Sequence, residues 1–298
     1  MGIVVAYLDG PDTLAGDLDP SIPCVNLRRR GKFSIGACVR LAALTHQHAV
    51  STVLAINLYA ALYAVILKVL RPFSGLRVLA AINTTAFLDG REERQMALYK
   101  RVLQHAQLLI YGAAVQRRQW ADRYGLDRCG ARSIVIHNGV DAEYFHASRV
   151  PRHEFPGWSP PPLLLGSVGQ FRAEKSQTDL IAVVRRLVDR GIDTGAILVG
   201  SGPERDRLLA EIDTLRLGDR IRLIDQVKDV RPYLKCMDVF VLPSIAVETF
   251  SNAALEAMSM DKPIVVTKVG GMEEMLFQGG GLSYEPGDRS RLFAILED

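Results

Sequence analysis

Two carboxylates, Glu248 and Glu256, stand with seven residues between them in the run V-E-T-F-S-N-A-A-L-E-A-M, residues 247–258. A short polar turn follows the first, and the apolar segment around the second reads as a helix. Carboxylates accept hydrogen bonds from sugar hydroxyls, and the unpaired N–H groups of a helix start hold a phosphate or diphosphate. This order of groups is equipment for a nucleotide. Glutamate pairs at such a spacing are also common on solvated helix faces, so the neighbouring segments decide what the pair means.

Four other segments of the C-terminal half carry matching chemistry. An apolar run over 163–168 reads as a strand and ends in G-Q-F-R-A-E-K, residues 169–175. Gly169 permits close backbone approach to a ligand, Arg172 can bind a diphosphate in bidentate fashion, and Lys175 is a point charge. The strand-like run 196–199 leads into G-S-G-P, residues 200–203, chiefly a tight turn with Pro203 at a first helical position. The run D-V-F-V-L-P-S, residues 238–244, reads as a buried strand entering the Glu248 loop. Downstream, K-P-I-V-V-T-K-V-G-G-M-E-E, residues 262–274, reads as a strand, a glycine turn and a new helix.

The positioning elements follow from hydrophobic spacing. In the first half, strands are expected over 3–8, 52–56, 77–82, 108–111 and 133–137, with helical spacing over 91–106 and 113–124. In the second half, strands are expected over 163–168, 196–199, 220–223, 239–242 and 263–266, with helices near 176–190, 203–215, 228–236 and 251–260. Between the halves, P-R-H-E-F-P-G-W-S-P-P-P holds five prolines in twelve residues, 151–162, which suits neither a helix interior nor a central strand. The expectation is a linker there, a domain over 1–150 and a second over 163–298. Alternating β and α units indicate an α/β class with parallel sheets, helices on both faces and ligands at the strands' carboxyl ends.

Composition narrows the function. The chain has 298 residues, 48% hydrophobic and 23% charged, an ordinary globular balance. Cys24, Cys38, Cys129 and Cys236 are scattered and form no Cys/His cluster, so neither structural zinc nor a disulfide framework is indicated, which fits a reducing cytoplasm. Residues 1–150 hold 18 Lys+Arg and 11 Asp+Glu, a net of +7; residues 151–298 hold 18 and 22, a net of −4. The basic half, densest at Arg28, Arg29, Arg30 and Lys32, suits an anionic membrane surface. Nucleic acid is not expected, because no stacking platform of aromatics accompanies it. The uncharged stretch 49–67 reads as a strand followed by a helix over 58–70 rather than as a membrane span. No G-x-G-x-x-G follows an early strand, which argues against a Rossmann-cofactor oxidoreductase.

Taken together, I-H-N-G-V-D-A-E-Y-F (136–145), S-V-G-Q-F-R-A-E-K (167–175), L-V-G-S-G-P (198–203), D-V-F-V-L-P-S (238–244), E-T-F-S-N-A-A-L-E-A-M (248–258) and K-P-I-V-V-T-K-V-G-G-M-E-E (262–274) resemble the C-terminal domain of the retaining glycosyltransferases of family 4, which have the GT-B fold. They occur in family order over roughly half the chain. The resemblance implies two Rossmann-like domains facing each other across a cleft, and transfer of a sugar from a nucleoside-diphosphate donor with retention at the anomeric carbon and no metal or other cofactor. It implies that Arg172 and Lys175 bind the diphosphate and stabilise the leaving group, and that Glu248 contacts the donor sugar. Gly169, Thr249 and the amides of Phe250 and Ser251 would meet the donor, Glu256 would hold the ribose hydroxyls, and the segment around Val227 would line the base.

The first half matches more loosely. Members open with a strand and a glycine-rich loop; this chain opens at the next strand, so its N-terminal domain reads as incomplete. Many members carry a histidine after the strand at 77–82; Asn83 stands there as the expected sugar contact. The family's last helices also have no counterpart, so the chain reads as trimmed at both ends. The expected role is transfer to a carbohydrate or lipid-linked acceptor in polysaccharide or glycolipid assembly, by a cytoplasmic protein peripheral to the inner membrane face. The alternative is an inactive sugar-nucleotide-binding or scaffolding protein of the same descent.

Overall fold

The computed structural model describes residues 2–10, 16, 18–31, 33–83, 96, 99–126, 132–277 and 279–298. These fall into two compact units. The first holds residues up to Asn83 and the segments ending at Gly112 and Ile136; the second holds 113–116 and everything from His137 to Asp298.

The first unit contains β1 (Val5–Tyr7), β2 (Cys24–Asn26), α1 (Ile35–Gln47), β3 (Thr52–Ile56), α2 (Asn57–Leu70), β4 (Arg77–Ile82), β5 (Leu108–Tyr111), most of α3 (Ala114–Tyr124) and β6 (Arg132–Val135). β1 and β2 form a parallel pair, and β3-β4-β5-β6 form a parallel sheet in that order. The uncharged stretch at 49–67 thus divides as its β-branched start and leucine-rich end suggest, into β3 and α2. Among the described residues, no helix is long and apolar enough to cross a membrane. Of the helix expected over 91–106, Met96 and residues 99–103 are helical. Residues 91–95, 97 and 98 lie outside the described residues, as do Lys32 and Cys129.

Parallel strands alternate their side chains between two faces. On one face of the four-stranded sheet, Ala55, Val78, Ala80, Ile82, Leu109 and Tyr111 join a core with Ala64 and Val65 of α2 and with Leu103 and Trp120. The register puts Leu54 beside Leu79 and Leu108 on the other face, and Ile56 beside Ala81, Ile110 and Ile134. Among the described residues that face is partly open: Leu54 is 55% and Ile56 54% exposed.

The second unit contains β7 (Leu163–Val168), α4 (Gln177–Asp189), β8 (Thr194–Val199), α5 (Arg205–Thr214), β9 (Ile221–Ile224), α6 (Arg231–Cys236), β10 (Val239–Leu242), α7 (Asn252–Ser259), β11 (Ile264–Thr267), α8 (Met272–Met275), β12 (Gly281–Tyr284) and α9 (Arg289–Glu297). All its sheet pairings are parallel, in the order β12-β11-β10-β7-β8-β9. This is the doubly wound Rossmann arrangement, in which the chain turns back beside its first strand. Both faces are covered. One core gathers Leu180, Ile181, Val184 and Leu187 of α4 with Leu292 and Phe293 of α9. The other gathers Ala254 and Ala257 of α7 with Phe240, Ile264 and Met272.

The proline-rich segment lies along this unit. His153 stacks on Tyr233 at 4.2 Å, Phe155 meets Trp158 edge-on, and the Trp158 indole N–H donates to the Asp219 carbonyl at 2.6 Å.

Candidate active site

The switch point of the six-stranded sheet lies between β7 and β10, where helices leave in opposite directions and open a crevice at the carboxyl ends. β7 runs out into Gly169–Lys175 and β10 into 243–251, so the cation-bearing loop and the Glu248 loop lie side by side. One backbone bond joins them, from the Ile245 N–H to the Glu174 carbonyl at 2.8 Å.

The 169–175 loop is shaped by its neighbour. Gly169 N–H donates to Val199 O at 3.0 Å, Phe171 N–H to Ser201 O at 2.8 Å, and Glu204 N–H to Phe171 O at 3.0 Å. A Cβ at Gly200 would sit 1.9 Å from the Gly169 carbonyl oxygen, and one at Gly202 2.3 Å from that of Phe171. The G-S-G turn is therefore glycine because two backbones touch there. Gly169 has no heavy atom within 4 Å of where its Cβ would be, which leaves room beside its backbone. The buried Gln177 amide donates to Gln170 O at 3.0 Å and pins the loop to the start of α4. Lys175 sits in a short 3-10 turn, Ala173–Lys175.

Lys175 forms an ion pair with Glu248, donating from Nζ to Oε1. The Glu248 side chain is 7% exposed and that of Lys175 22%. The same Oε1 accepts from the fully buried Ser244 hydroxyl at 2.7 Å, and the Ser244 carbonyl accepts from the buried Thr267 hydroxyl at 2.5 Å. Glu248 Oε2 takes no hydrogen bond from the described residues. Val247, just before it, has φ +58°, a left-handed conformation that is an outlier for a β-branched residue. Strain of this kind, about 1–3 kcal/mol, persists where surrounding contacts over-determine the backbone. Arg172 lies on the same loop as Lys175, but its guanidinium is 56% exposed and pairs with Glu174 at 3.4 Å.

Beyond Glu248 the chain enters α7 with Ser251 as N-cap. The amides of Phe250 and Ser251 have no partner among the described residues, whereas their carbonyl side is gripped. The Gly271 N–H donates to Thr249 O at 2.9 Å, and Asn138 Nδ2 donates to Phe250 O at 2.9 Å and to Asn252 Oδ1 at 2.9 Å. The Phe250 ring stacks on His137 with centroids 4.5 Å apart and planes within 9°. His137 Nε2 meets Glu274 at 2.9 Å, and the Glu274 carboxylate also accepts from the Ala114 and Val115 amides at 2.9 and 2.7 Å. Burial alone pushes the Glu274 carboxyl up, but those two amides and His137 outweigh it and hold it below the ordinary carboxylate range.

Glu256 is one turn into α7, half-buried. Burial pushes its carboxyl above the ordinary range, and no side chain among the described residues pairs with it. Val227 is partly buried against the second core, in a loop braced by the Arg231–Asp229 fork at 2.8 and 2.7 Å. Arg231 also lies 3.5 Å over the Tyr144 ring. Asn83 follows β4 in the first unit and is exposed. No group of three or more His, Cys, Asp or Glu residues suited to a metal occurs among the described residues.

The fold thus brings Lys175 against Glu248 just before the chain enters α7 at Phe250 and Ser251, and leaves Arg172 turned outward. Ser244, Thr267, His137, Asn138 and Glu274 were not singled out from the sequence as site residues. Only their membership in the quoted motifs signalled them.

The comparisons agree with this architecture. A family model described as Glycosyltransferase Family 4 matches residues 3–144, and one described as Glycosyl transferases group 1 matches 162–297. The GDP-mannose-dependent alpha-(1-6)-phosphatidylinositol dimannoside mannosyltransferase of Mycobacterium tuberculosis is 31% identical over 165 residues, covering 53% of this chain and 42% of that protein. The N-acetyl-alpha-D-glucosaminyl L-malate synthase of Bacillus anthracis is 29% identical over 156 residues, 52% of this chain and 40% of its own. The chain thus spans about two-fifths of the length of these relatives. Among solved structures, Anabaena HepE in complex with UDP superposes with a TM-score of 0.79 at 19% identity, over 98% of this chain and 80% of that one. A glycosyltransferase from Rickettsia africae gives 0.79 at 15% identity, over 99% and 79%. With both halves matched by glycosyltransferase models and two parallel Rossmann-like sheets, the chain belongs to the family 4 glycosyltransferases of GT-B fold.

Proposed function

We propose that the protein transfers a sugar from a nucleoside-diphosphate donor to a carbohydrate or lipid-linked acceptor, with retention at the anomeric carbon. The observation that carries this reading is the largely buried Lys175–Glu248–Ser244 cluster at the switch point, next to two amides that have no partner among the described residues. The fixed cation and amides suit the negative charge that grows on a departing diphosphate, and their preorganisation lowers that barrier without rearrangement in the reaction. Arg172, being exposed, adds a bidentate contact on donor entry. Glu248 keeps one carboxylate oxygen bound to Lys175 and Ser244 and offers the other to the donor sugar. Glu256, half-buried without a cation, offers its carboxylate to the ribose hydroxyls, and the braced loop at Val227 faces the base. Thr249 and Gly169 line the diphosphate, and the reaction uses no metal.

The family descent supports polysaccharide or glycolipid assembly. Exposed Arg28 and Arg30 beside exposed Phe33, Ile35 and Val39 suit the anionic inner face of a membrane. The inactive-binder alternative is separated from the transferase by one assay. Purified protein is incubated with UDP- and GDP-sugars and membrane extract as acceptor, and release of nucleoside diphosphate is followed. Glu248→Gln, which keeps shape and removes charge, is expected to abolish release; undiminished turnover in that variant sinks the proposal.

A further inference from the structure

We infer that Asn138 is a positioning residue for the diphosphate: its side chain sets the direction of the Ser251 N–H. The inference rests on the proposed donor site at Phe250 and Ser251. A peptide group is planar and trans, so its C=O and the next residue's N–H point in opposite directions and cannot turn independently. The Phe250 carbonyl and the Ser251 N–H belong to one such group. Asn138 Nδ2 donates to that carbonyl at 2.9 Å and so aims the amide at its far end. The preceding peptide group is fixed likewise, its Thr249 oxygen held by the Gly271 N–H at 2.9 Å and its Phe250 N–H left free.

The grips that Asn138, His137 and Gly271 take on the loop fall on a carbonyl, a ring or the Asn252 side chain, and among the described residues none takes the Phe250 or Ser251 N–H. Asn138 is itself anchored. It donates to Asn252 Oδ1, and its neighbour His137 is stacked on the Phe250 ring and bonded to Glu274, which in turn holds the Ala114 and Val115 amides. The loop thus enters α7 with two donors oriented before any anion arrives, and the orientation comes from a side chain 112 residues away in sequence. An anion binding there meets donors that need no reordering, which preserves affinity.

The test compares Asn138→Ala with the wild type for UDP and GDP by calorimetry, and for uridine and guanosine by ligand-observed NMR. The nucleosides share the base and ribose but lack the diphosphate. Asn138→Ala is expected to bind the diphosphate about tenfold more weakly, the worth of one hydrogen bond, with nucleoside affinity unchanged. Asn138→Ser, which keeps a shorter donor, is expected to recover part of the loss. Equal binding of the diphosphate by Asn138→Ala and wild type overturns the inference, as does a parallel loss for diphosphate and nucleoside, which marks a merely structural residue. A wild type that binds neither diphosphate fails the donor reading itself. Should Asn138→Ala not fold, Asn252→Ala removes one of the two acceptors that anchor Asn138. It is expected to weaken diphosphate binding selectively, and an unchanged affinity there overturns the inference.

Discussion

The Lys175–Glu248 pair can be measured by a double-mutant cycle of Lys175→Met, Glu248→Gln and both together. With 7% of the Glu248 side chain exposed, losing its cation leaves a desolvated carboxylate with only the Ser244 bond. Breaking a fully buried pair costs about 3–5 kcal/mol. Lys175 is 22% exposed, so water partly compensates, and about 2–3 kcal/mol is expected for Lys175→Met. Glu248→Gln keeps an acceptor for Ser244 and leaves an ammonium that can reach solvent, so about 1 kcal/mol is expected. The double variant holds no unpaired charge and falls near the milder single change. The coupling is then about 2 kcal/mol, well above the 0.5 kcal/mol within which independent sites add. Thermal unfolding reads it out: a unit of this size shifts by about 2–4 °C per kcal/mol, so Lys175→Met melts about 4–12 °C lower. Desolvated charges are weakly screened, so the coupling survives 0.5 M salt. Additive single effects, or a coupling that vanishes in salt, refute a preformed catalytic pair.

Three further outcomes are expected. Val247→Gly relieves the left-handed valine at φ +58° and holds or raises the melting temperature, while sugar transfer falls because Glu248 loses its fixed direction; a variant as active as wild type removes the functional reading of the strain. Glu256→Gln is more stable than wild type at pH 7. Burial raises the folded-state carboxyl, so its charge disfavours folding once pH exceeds the ordinary carboxylate range, and the advantage closes as pH falls back through that range; an advantage that persists at low pH contradicts the sign. Gly200→Ala drives a methyl to 1.9 Å of the Gly169 carbonyl at φ +155°, so it unfolds the protein or lowers its melting temperature by several degrees; an unchanged melting temperature contradicts the packing of the two turns.

The sequence and the structure meet where segments are long and periodic. β3, β4, β5, β7 and β10 begin and end where the apolar runs do, because β-branched stretches bounded by glycine, proline or charge have one reading. β2 and β12 were not expected. C-V-N is too short to show alternation, and G-L-S-Y opens on glycine and has no β-branched residue, so only pairing with β1 and β11 makes them strands. In the site, charged residues after strands were legible, because a cation or carboxylate at a strand's carboxyl end is a signal in itself. Ser244 and Thr267 were not. A hydroxyl at the end of an apolar run looks like any strand residue, and its partner is fixed only when β10 and β11 come together.

Among the described residues one side of the four-stranded sheet is left partly exposed, and that side governs how the protein must be handled. Leu54 and Ile56 on β3 and Ile134 on β6 expose aliphatic surface on that side at the two opposite edges of the sheet, and among the described residues β3 has a neighbour on one side only. Each Å² of such surface hidden from water is worth about 25 cal/mol, so two molecules meeting there at high concentration gain by sticking. Dilute stocks, or a mild detergent that wets the leucine and isoleucine rows, keep that gain from being realised and preserve the dispersed protein for the measurements above.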